Sequence, residues 1–371
     1  MKIYELIAPC HFGLEAVLKR EITDLGYEIS KVEDGKVTFL GDAEAICYAN
    51  IFLRTAERIL IKIGSFHAET FEELFQGTKN LPWEEYIPKD GKFWVAKAAS
   101  VKSKLFSPSD IQSIMKKAMV ERLKAQYEIS WFPEDGENFP VRVFLMKDEV
   151  TVGLDSTGES LHKRGYRKLT AKAPIAENLA AALIELTPWN AGRILVDPFC
   201  GSGTFPIEAA MIALNRAPGL NRSFMAQKWS CVPETVWQQA RTEALDREYR
   251  GEYHILGSDI DPASLEIAQQ NARKAGVGKL IEFREADATK MSLPADKGLL
   301  VCNPPYGERM LEQRSAQRLY GAFGRHLKYA DGWKKYIISS EPEFEHYFGR
   351  QAVKKRKLYN GRLQCNVYMY Y

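Results

Sequence analysis

The stretch "RILVDPFCGSGTFPIEAA", residues 193–210, contains the strongest indication of fold in the chain. A short apolar run ends at Asp197, two glycines follow at Gly201 and Gly203, and an apolar helical pattern begins directly after them. A strand, a glycine turn and a helix in this order are typical of a parallel α/β sheet, in which ligands bind at the carboxyl ends of the strands. The turn therefore predicts a ligand site.

The sequence around this stretch repeats the alternation of strand and helix. A helical pattern, "APIAENLAAALIEL", precedes it, and three apolar strands, "HILGSD", "IEFREAD" and "GLLVCN", follow. Apolar runs of this kind indicate a mainly parallel sheet that is buried on both faces. Asn360-Gly361 suits a two-residue hairpin turn, so we expect the last strand to be antiparallel to its neighbour.

The first 155 residues have a different organisation. Residues 1–65 follow the β-α-β-β-α-β order of a ferredoxin-like unit, with Asp34-Gly35 at a hairpin turn. Residues 66–155 mix strands and helices in a compact α+β pattern, with a long amphipathic helix that begins near Ser107. The sequence thus predicts three domains, at 1–65, 66–155 and 156–371.

The residues of the glycine turn distinguish among ligands. A Walker A loop needs a lysine after its last glycine, and a dinucleotide fingerprint needs a third glycine where Pro206 stands. Asp197 at the mouth of the turn would repel a phosphate and attract an ammonium group. S-adenosylmethionine, which has an ammonium, a sulfonium, a ribose and an adenine, fits these features.

Acidic residues also close the next two strands. Asp259 can accept two hydrogen bonds from ribose hydroxyls, and Asp287 can accept from the adenine amino group while the backbone of Ala288 reads the ring edge. We therefore predict one nucleoside site at these strand ends. Its predicted residues are Asp197, Phe199, Gly201, Gly203, Thr204, Asp259, Ile260, Asp287, Ala288 and Asn303.

The segment "VCNPPYGERM", residues 301–310, ends a further strand that should lie beside the one with the glycine turn. Proline has no N–H to donate, which leaves nearby carbonyls free to accept. The Asn303 side-chain oxygen and the Pro304 carbonyl can hold the two hydrogens of a planar amine, and Pro305 keeps them rigid. Tyr306 offers a ring for stacking. Such alignment favours an in-line methyl transfer without a general base.

On these motifs the chain resembles the class I S-adenosylmethionine-dependent methyltransferases that act on planar exocyclic or amide nitrogens. The stretches at 161–183, 216–229 and 257–276 resemble a narrower group, the THUMP-domain RNA methyltransferases of the ribosomal guanine-N2 type. The resemblance implies a Rossmann-like catalytic domain preceded by a ferredoxin-like unit and a THUMP RNA-binding domain. It also implies methylation of a guanine N2 amine in structured RNA, most simply 23S ribosomal RNA or a ribosomal precursor.

Basic residues in the front half are the candidates for contact with RNA phosphates. Lys97, Lys102 and Lys104 form one cluster, whose alternative role is a solvated surface. Trp94 and Phe106 lie near them in sequence and are expected to belong to the core. Arg164 and Arg167, in a linker-like stretch, either clamp the substrate backbone or remain solvated.

Composition adds exclusions. The 371 residues are 45% hydrophobic and 27% charged, and the net charge of +3 does not by itself require a polyanionic partner. None of the six cysteines forms a C-x-x-C pair, so no metal site is indicated. With neither a secretory signal nor a run of membrane-spanning length, we expect a cytoplasmic protein.

Several activities remain compatible with Asn303–Tyr306. The same tetrapeptide serves adenine-N6 DNA methyltransferases, protein glutamine methyltransferases and guanine-N2 enzymes that act on ribosomal or transfer RNA. A DNA enzyme leaves the front domains unexplained, and a glutamine methyltransferase is not expected to have an RNA-type front half. A non-catalytic RNA-binding assembly factor is a further alternative, although the intact tetrapeptide argues against it.

Overall fold

The computed structural model of the protein describes residues 2–167, 175–307, 310–361 and 363–371. In the N-terminal half the predicted order of elements is confirmed. The elements are β1 (Tyr4–Pro9), α1 (Glu15–Asp24), β2 (Ile29–Glu33), β3 (Lys36–Gly41), α2 (Ala43–Phe52), β4 (Leu60–His67), α3 (Phe71–Lys79), β5 (Lys92–Val101), α4 (Pro108–Tyr127), β6 (Asn138–Met146) and β7 (Glu149–Asp155), with a 3₁₀ turn at Trp83–Glu85.

Local side chains determine where two of these helices begin. The Asp42 carboxylate accepts from the Ala45 N–H at 3.1 Å and caps α2. Thr70 and Glu73 form a reciprocal capping box at the start of α3. Each contact satisfies a backbone N–H that has no partner within its helix.

The N-terminal strands form one seven-stranded sheet in the order β2-β3-β1-β4-β7-β6-β5. β4 pairs antiparallel with β1 on one side and with β7 on the other. The sheet therefore continues across both predicted N-terminal units, and the predicted boundary between residues 65 and 66 lies inside β4. Because shared backbone hydrogen bonds join the two units, they form a single platform.

The C-terminal half alternates strands and helices as predicted, with additional helices that the sequence patterns did not reveal. Its elements are α5 (Glu177–Glu185), β8 (Leu195–Asp197), α6 (Thr204–Ala213), α7 (Glu234–Asp246), β9 (Ile255–Asp259), α8 (Pro262–Lys274), β10 (Ile281–Glu285), β11 (Gly298–Cys302), α9 (Met310–His326), β12 (Trp333–Ser339), α10 (Phe344–Phe348), β13 (Lys354–Asn360) and β14 (Leu363–Tyr370), with 3₁₀ turns at Met225–Lys228 and Leu327–Tyr329.

The second sheet has the order β10-β9-β8-β11-β12-β14-β13. The first five strands are parallel, and β14 is antiparallel to both of its neighbours. This confirms the Rossmann-like α/β fold, the antiparallel last strand and the position of β11 beside β8. The carboxyl ends of the five parallel strands consequently lie along one edge.

A segment of the C-terminal half, residues 216–229, packs onto the N-terminal platform. The Gly219 N–H donates to the Ile51 carbonyl at 2.9 Å, and the Ala226 N–H donates to the Ser156 carbonyl at 3.0 Å. Trp229 stacks on Phe139 with ring centroids 5.1 Å apart. Trp229 belongs to the same buried cluster as the N-terminal core. The two halves therefore share a core instead of being joined only by a linker.

Within the described ranges, no helix is long and apolar enough to cross a membrane. Across the same part of the chain, no three His, Cys, Asp or Glu side chains converge on a point that would hold a metal ion. All six cysteines are free thiols.

Candidate active site

The candidate site lies along the carboxyl edge of the second sheet. β10, β9, β8 and β11 are neighbours in that order. Asp259 and Asp197 are the last residues of β9 and β8, Asp287 lies two residues beyond β10, and Asn303 directly follows β11. Adjacent strands are about 4.8 Å apart. The four side chains predicted for the site are therefore brought to one row by the topology.

The two positions of the turn require glycine for different structural reasons. Gly203 has φ +85°, and a Cβ there would lie 3.0 Å from the Ala268 Cβ, so close helix packing requires glycine. Gly201 has φ +50°, and a Cβ there would meet nothing within 4 Å. Its N–H donates to Asp259 Oδ2 at 2.9 Å, which ties the turn to the next strand. Gly201 therefore lines open space in which a ligand can approach the backbone.

Asp197 is a carboxylate in an unusual environment. It is 1% exposed, and its Oδ1 accepts from the Phe199 N–H at 3.1 Å. Burial, together with the nearby Asp259 carboxylate, raises the pKa of Asp197 well above its ordinary value. Among the described residues no cation forms an ion pair with it. A cationic ligand group would supply the missing compensation.

The neighbouring strand ends offer surfaces suited to a ribose and an adenine. The Asp259 carboxylate also accepts from the Asp261 N–H at 3.0 Å, which fixes its orientation. Ile260 is 68% exposed, an uncommon position for an apolar side chain. Hydrogen bonds from the Thr289 hydroxyl and backbone lower the pKa of Asp287. Asp287 therefore remains an ionised acceptor, next to the buried Ala288.

Phe199 and Thr204 flank the turn on its inner side. Phe199 packs edge-on against Phe323, with ring centroids 5.0 Å apart. Thr204, the first residue of α6, is buried, and its hydroxyl accepts from the Arg167 guanidinium at 2.5 Å. These contacts hold the turn and the start of α6 in place from behind. Buried Glu177 Oε2 and Asn178 Nδ2, close by at the start of α5, have no hydrogen-bond partner within the described structure.

The Asn303–Tyr306 segment adopts a closed arrangement. The Tyr306 hydroxyl donates to the Asn303 side-chain oxygen, which is the acceptor predicted for the target amine. The Cys365 thiol lies 3.8 Å from the same hydroxyl. Behind the segment, the buried Tyr320 hydroxyl donates to the Pro305 carbonyl at 2.7 Å. The Asn303 side-chain oxygen has two lone pairs, so the Tyr306 hydroxyl fills one of them and the other remains for a substrate hydrogen.

The prediction that Arg164 and Arg167 contact RNA is not supported by their positions. Arg164 is 5% exposed and donates to the carbonyls of Leu161 and Arg54 at 2.7 and 2.5 Å, with Glu208 at 3.4 Å. The Arg167 side chain is 10% exposed and lies 3.5 Å from Glu177. Since internal carbonyls and carboxylates already engage both guanidinium groups, neither is open to a phosphate. They fasten the linker to the C-terminal half.

The basic cluster on the N-terminal platform is at the surface. Lys97, Lys102 and Lys104 are all exposed, and Lys104 pairs with Glu69. The expectation that the nearby aromatic residues belong to the core is wrong. Trp94, on the edge strand β5, is 36% exposed. Phe106, in the loop after β5, is 80% exposed. This face combines positive charge with aromatic rings.

Sequence reasoning missed three residues that support the site. Tyr320 and Glu341 lie in or after elements that follow the tetrapeptide, and Cys365 lies on β14. Glu341 comes two residues after the end of β12. The rule that identified Asp197, an acid next to the carboxyl end of a strand, would also have selected it. Tyr320 and Cys365 had no such signal, because their contacts depend on how α9 and β14 pack.

Comparisons with known proteins agree with this geometry. A family described as "RMKL-like, methyltransferase domain" matches residues 164–369, an RlmL ferredoxin-like domain matches 5–60, and a THUMP domain matches 68–155. A Bacillus subtilis protein described as "Putative RNA methyltransferase YpsC" is 46% identical, over 100% of this chain and 97% of its own.

Solved structures show the same fold over the whole chain. A Clostridium difficile 630 protein described as "a possible methylase" is 49% identical with a TM-score of 0.96, and the match covers 100% of this chain and 98% of that one. SMU.472, described as "a putative methyltransferase complexed with SAH", is 43% identical with a TM-score of 0.92, and the match covers 100% of this chain and 98% of that one.

Proposed function

This chain belongs to the RMKL-like methyltransferase family, and we propose that it methylates the N2 amine of a guanine in structured RNA, in the first place 23S ribosomal RNA. The cofactor of the family is S-adenosylmethionine. The observation that supports the proposal most strongly is the row of strand ends. It places the acids at 197, 259 and 287 beside Asn303 at one edge of the sheet.

The residues of this row suit the cofactor group by group. Asp197, buried and without a cation in the described structure, would hold the ammonium of the methionine part. Gly201 leaves room for the ligand, Asp259 would accept from the ribose hydroxyls and Asp287 from the adenine amine, and the exposed Ile260 would pack on the ring. When bound, the cofactor supplies an electrophilic methyl group. All other steps rely on side chains and carbonyls of the chain.

Asn303 and Pro304 would orient the target nitrogen. Their two oxygens accept the two hydrogens of the amine, which directs the nitrogen lone pair at the methyl carbon. The N–C bond forms as the bond from carbon to sulfur breaks, and the proton on the product nitrogen is then lost to water. The Tyr306 ring can stack on the base. The base must first leave its own stack, as in other enzymes that modify base atoms.

The surface of the N-terminal platform is consistent with an RNA substrate. Its exposed lysines at 97, 102 and 104 are suited to phosphates, and Trp94 and Phe106 are suited to unstacked bases. A THUMP domain match and the description of the Bacillus subtilis relative point the same way. A cytoplasmic location, where the ribosomal substrate is found, follows from the proposal.

Nucleoside mass spectrometry tests the proposal. The purified protein is incubated with S-adenosylmethionine carrying an isotopic methyl label and with ribosomal RNA, transfer RNA or genomic DNA from cells that lack the gene. We expect labelled 2-methylguanosine in 23S ribosomal RNA. Labelled N6-methyladenine in DNA, 2-methylguanosine confined to transfer RNA, or no labelled nucleoside would each contradict it.

A further inference from the structure

Glu341 follows the strand adjacent to the one that carries Asn303. β12 pairs parallel with β11, and Cys302 is opposite Ile337. Asn303 directly follows β11, and Glu341 comes two residues after β12 ends at Ser339. Because neighbouring strands are about 4.8 Å apart, the two residues lie close together at the same edge of the sheet. Glu341 lies on the side of Asn303 that is away from the glycine turn.

Hydrogen bonds connect Glu341 to the tetrapeptide. The Tyr320 hydroxyl donates to the Pro305 carbonyl at 2.7 Å and also hydrogen-bonds to the Ser339 side chain. The Ser339 hydroxyl in turn accepts from the Glu341 N–H at 3.1 Å. Tyr320 is therefore a positioning residue that sets Pro305 and the Glu341 backbone relative to each other.

The Glu341 carboxylate is buried and lacks a counter-ion in the described ranges. The residue is 8% exposed. Its Oε2 accepts from the amides of Gln317 and Gln313 at 3.2 and 3.5 Å, and its Oε1 accepts from the Glu343 N–H at 3.2 Å. An ionised carboxylate has about four lone-pair positions, and these three donors fill three of them, so one position remains for a ligand.

We infer that Glu341 accepts a hydrogen bond from N1–H of the target guanine, next to the amine held by Asn303 and Pro304. This role rests on the proposed guanine-N2 activity. Guanine presents donors at both N1 and N2, so three acceptors at this edge match its pairing face. Adenine has an unprotonated N1, whose lone pair a carboxylate would repel, so Glu341 both selects guanine and rejects adenine.

A substrate analogue separates this role from a structural one. 2-Aminopurine keeps the amine that receives the methyl group, but its N1 is an acceptor. The RNA that the wild-type protein methylates is prepared with either guanosine or 2-aminopurine riboside at the modified position. We expect wild-type kcat/KM to be about 100-fold lower for 2-aminopurine, since a site built to accept a hydrogen bond rejects a base that lacks the donor.

The substitution Glu341→Gln should shift this preference. Glutamine keeps the size of the side chain, and its amide can donate to the unprotonated N1 of 2-aminopurine. We expect the ratio of kcat/KM for 2-aminopurine over guanine to rise at least 10-fold, with cofactor affinity retained. Glu341→Asp keeps the charge but retracts it, so it should lose activity on guanine without a gain on 2-aminopurine. Glu343→Gln, the same change at an exposed neighbour, should leave the ratio unaltered.

Each outcome bears on a distinct claim. Equal wild-type rates on the two bases would overturn the role of Glu341, and this test requires no variant. An unchanged ratio in a folded Glu341→Gln protein would overturn it as well. Methylation of adenine N6 by the wild-type protein would instead overturn the proposed function, and the inference with it.

Discussion

The carboxyl edge of the second sheet and the basic linker at residues 161–167 are both rich in charge. The acids at the edge lie where a ligand would bind, whereas the arginines of the linker are buried against other parts of the chain. At the edge, Asp197, Asp259 and Asp287 lie where a parallel sheet places its ligands. In the linker, Arg164 turns inward to a carbonyl 110 residues away and a carboxylate 44 residues away. The topology of the sheet determines where a charged residue at a strand end lies. The position of a charged residue in a linker depends instead on which distant residues it contacts.

The largest effect should come from Asn303→Ala, which tests the edge directly. Removing the side-chain acceptor leaves the amine without orientation, and loss of one such preorganised group typically costs on the order of 10²–10³ in rate. Single-turnover methyl transfer should fall accordingly, while calorimetric cofactor affinity stays within about 2-fold. A variant with wild-type turnover would contradict the role of Asn303.

Asp197→Asn should weaken cofactor binding by about 100-fold, because it removes the buried charge that would pair with the ammonium. In the free protein the pKa of Asp197 is raised by burial, and a bound cation lowers it. Binding to the wild type should therefore release protons, and affinity should rise with pH up to the pKa of the free protein. Calorimetry in buffers of different ionisation enthalpy measures this release.

The control for that experiment is Glu266→Gln, an exposed acid on α8. It has the same change in charge and should leave both the affinity and the proton release as in the wild type. A wild-type protein that binds S-adenosylmethionine without releasing protons would show that Asp197 is already ionised, and would remove the electrostatic part of its role.

Arg164→Ala sharpens the comparison from the side of the linker. The change removes the cation from buried Glu208 and leaves it the Tyr166 hydroxyl as a neutral donor, and breaking one side of a buried ion pair typically costs about 3–5 kcal/mol. Thermal unfolding should shift to a clearly lower temperature. The double change Arg164→Met with Glu208→Gln should recover much of the loss. Normal stability with weakened RNA binding would instead support the clamp that the sequence had suggested.

Lys97→Ala and Lys102→Ala should have the smallest effects, and those effects should be confined to RNA. Each change removes one exposed charge, so affinity should fall a few-fold and the slope of log affinity against log salt by about 1. The unfolding temperature should not move. Lys274→Ala, at the exposed end of α8, serves as the matched control. If all three variants had the same salt slope as the wild type, Lys97 and Lys102 would be excluded from the RNA interface.

Much of the site was accessible from sequence because its residues follow strands. The glycine turn, the acids and the tetrapeptide each sit at a change of pattern, and parallel strands bring such positions together. The core assignment of Phe106 failed for a related reason. It lies at a change of pattern as well, five residues beyond the end of β5 and directly before Ser107, the N-cap of α4, and it is 80% exposed.

By itself, the sequence determined the class of each half and the row of acids at the sheet edge, and it predicted the acceptor pair at Asn303 and Pro304. Periodicity and turn residues act over a few positions, so they are legible without the fold. Only the tertiary structure decided that Arg164 is internal, that residues 216–229 join the N-terminal core, and that the Tyr306 hydroxyl donates to the Asn303 side chain. Those outcomes depend on contacts between residues far apart in the chain, whose strength is set by burial.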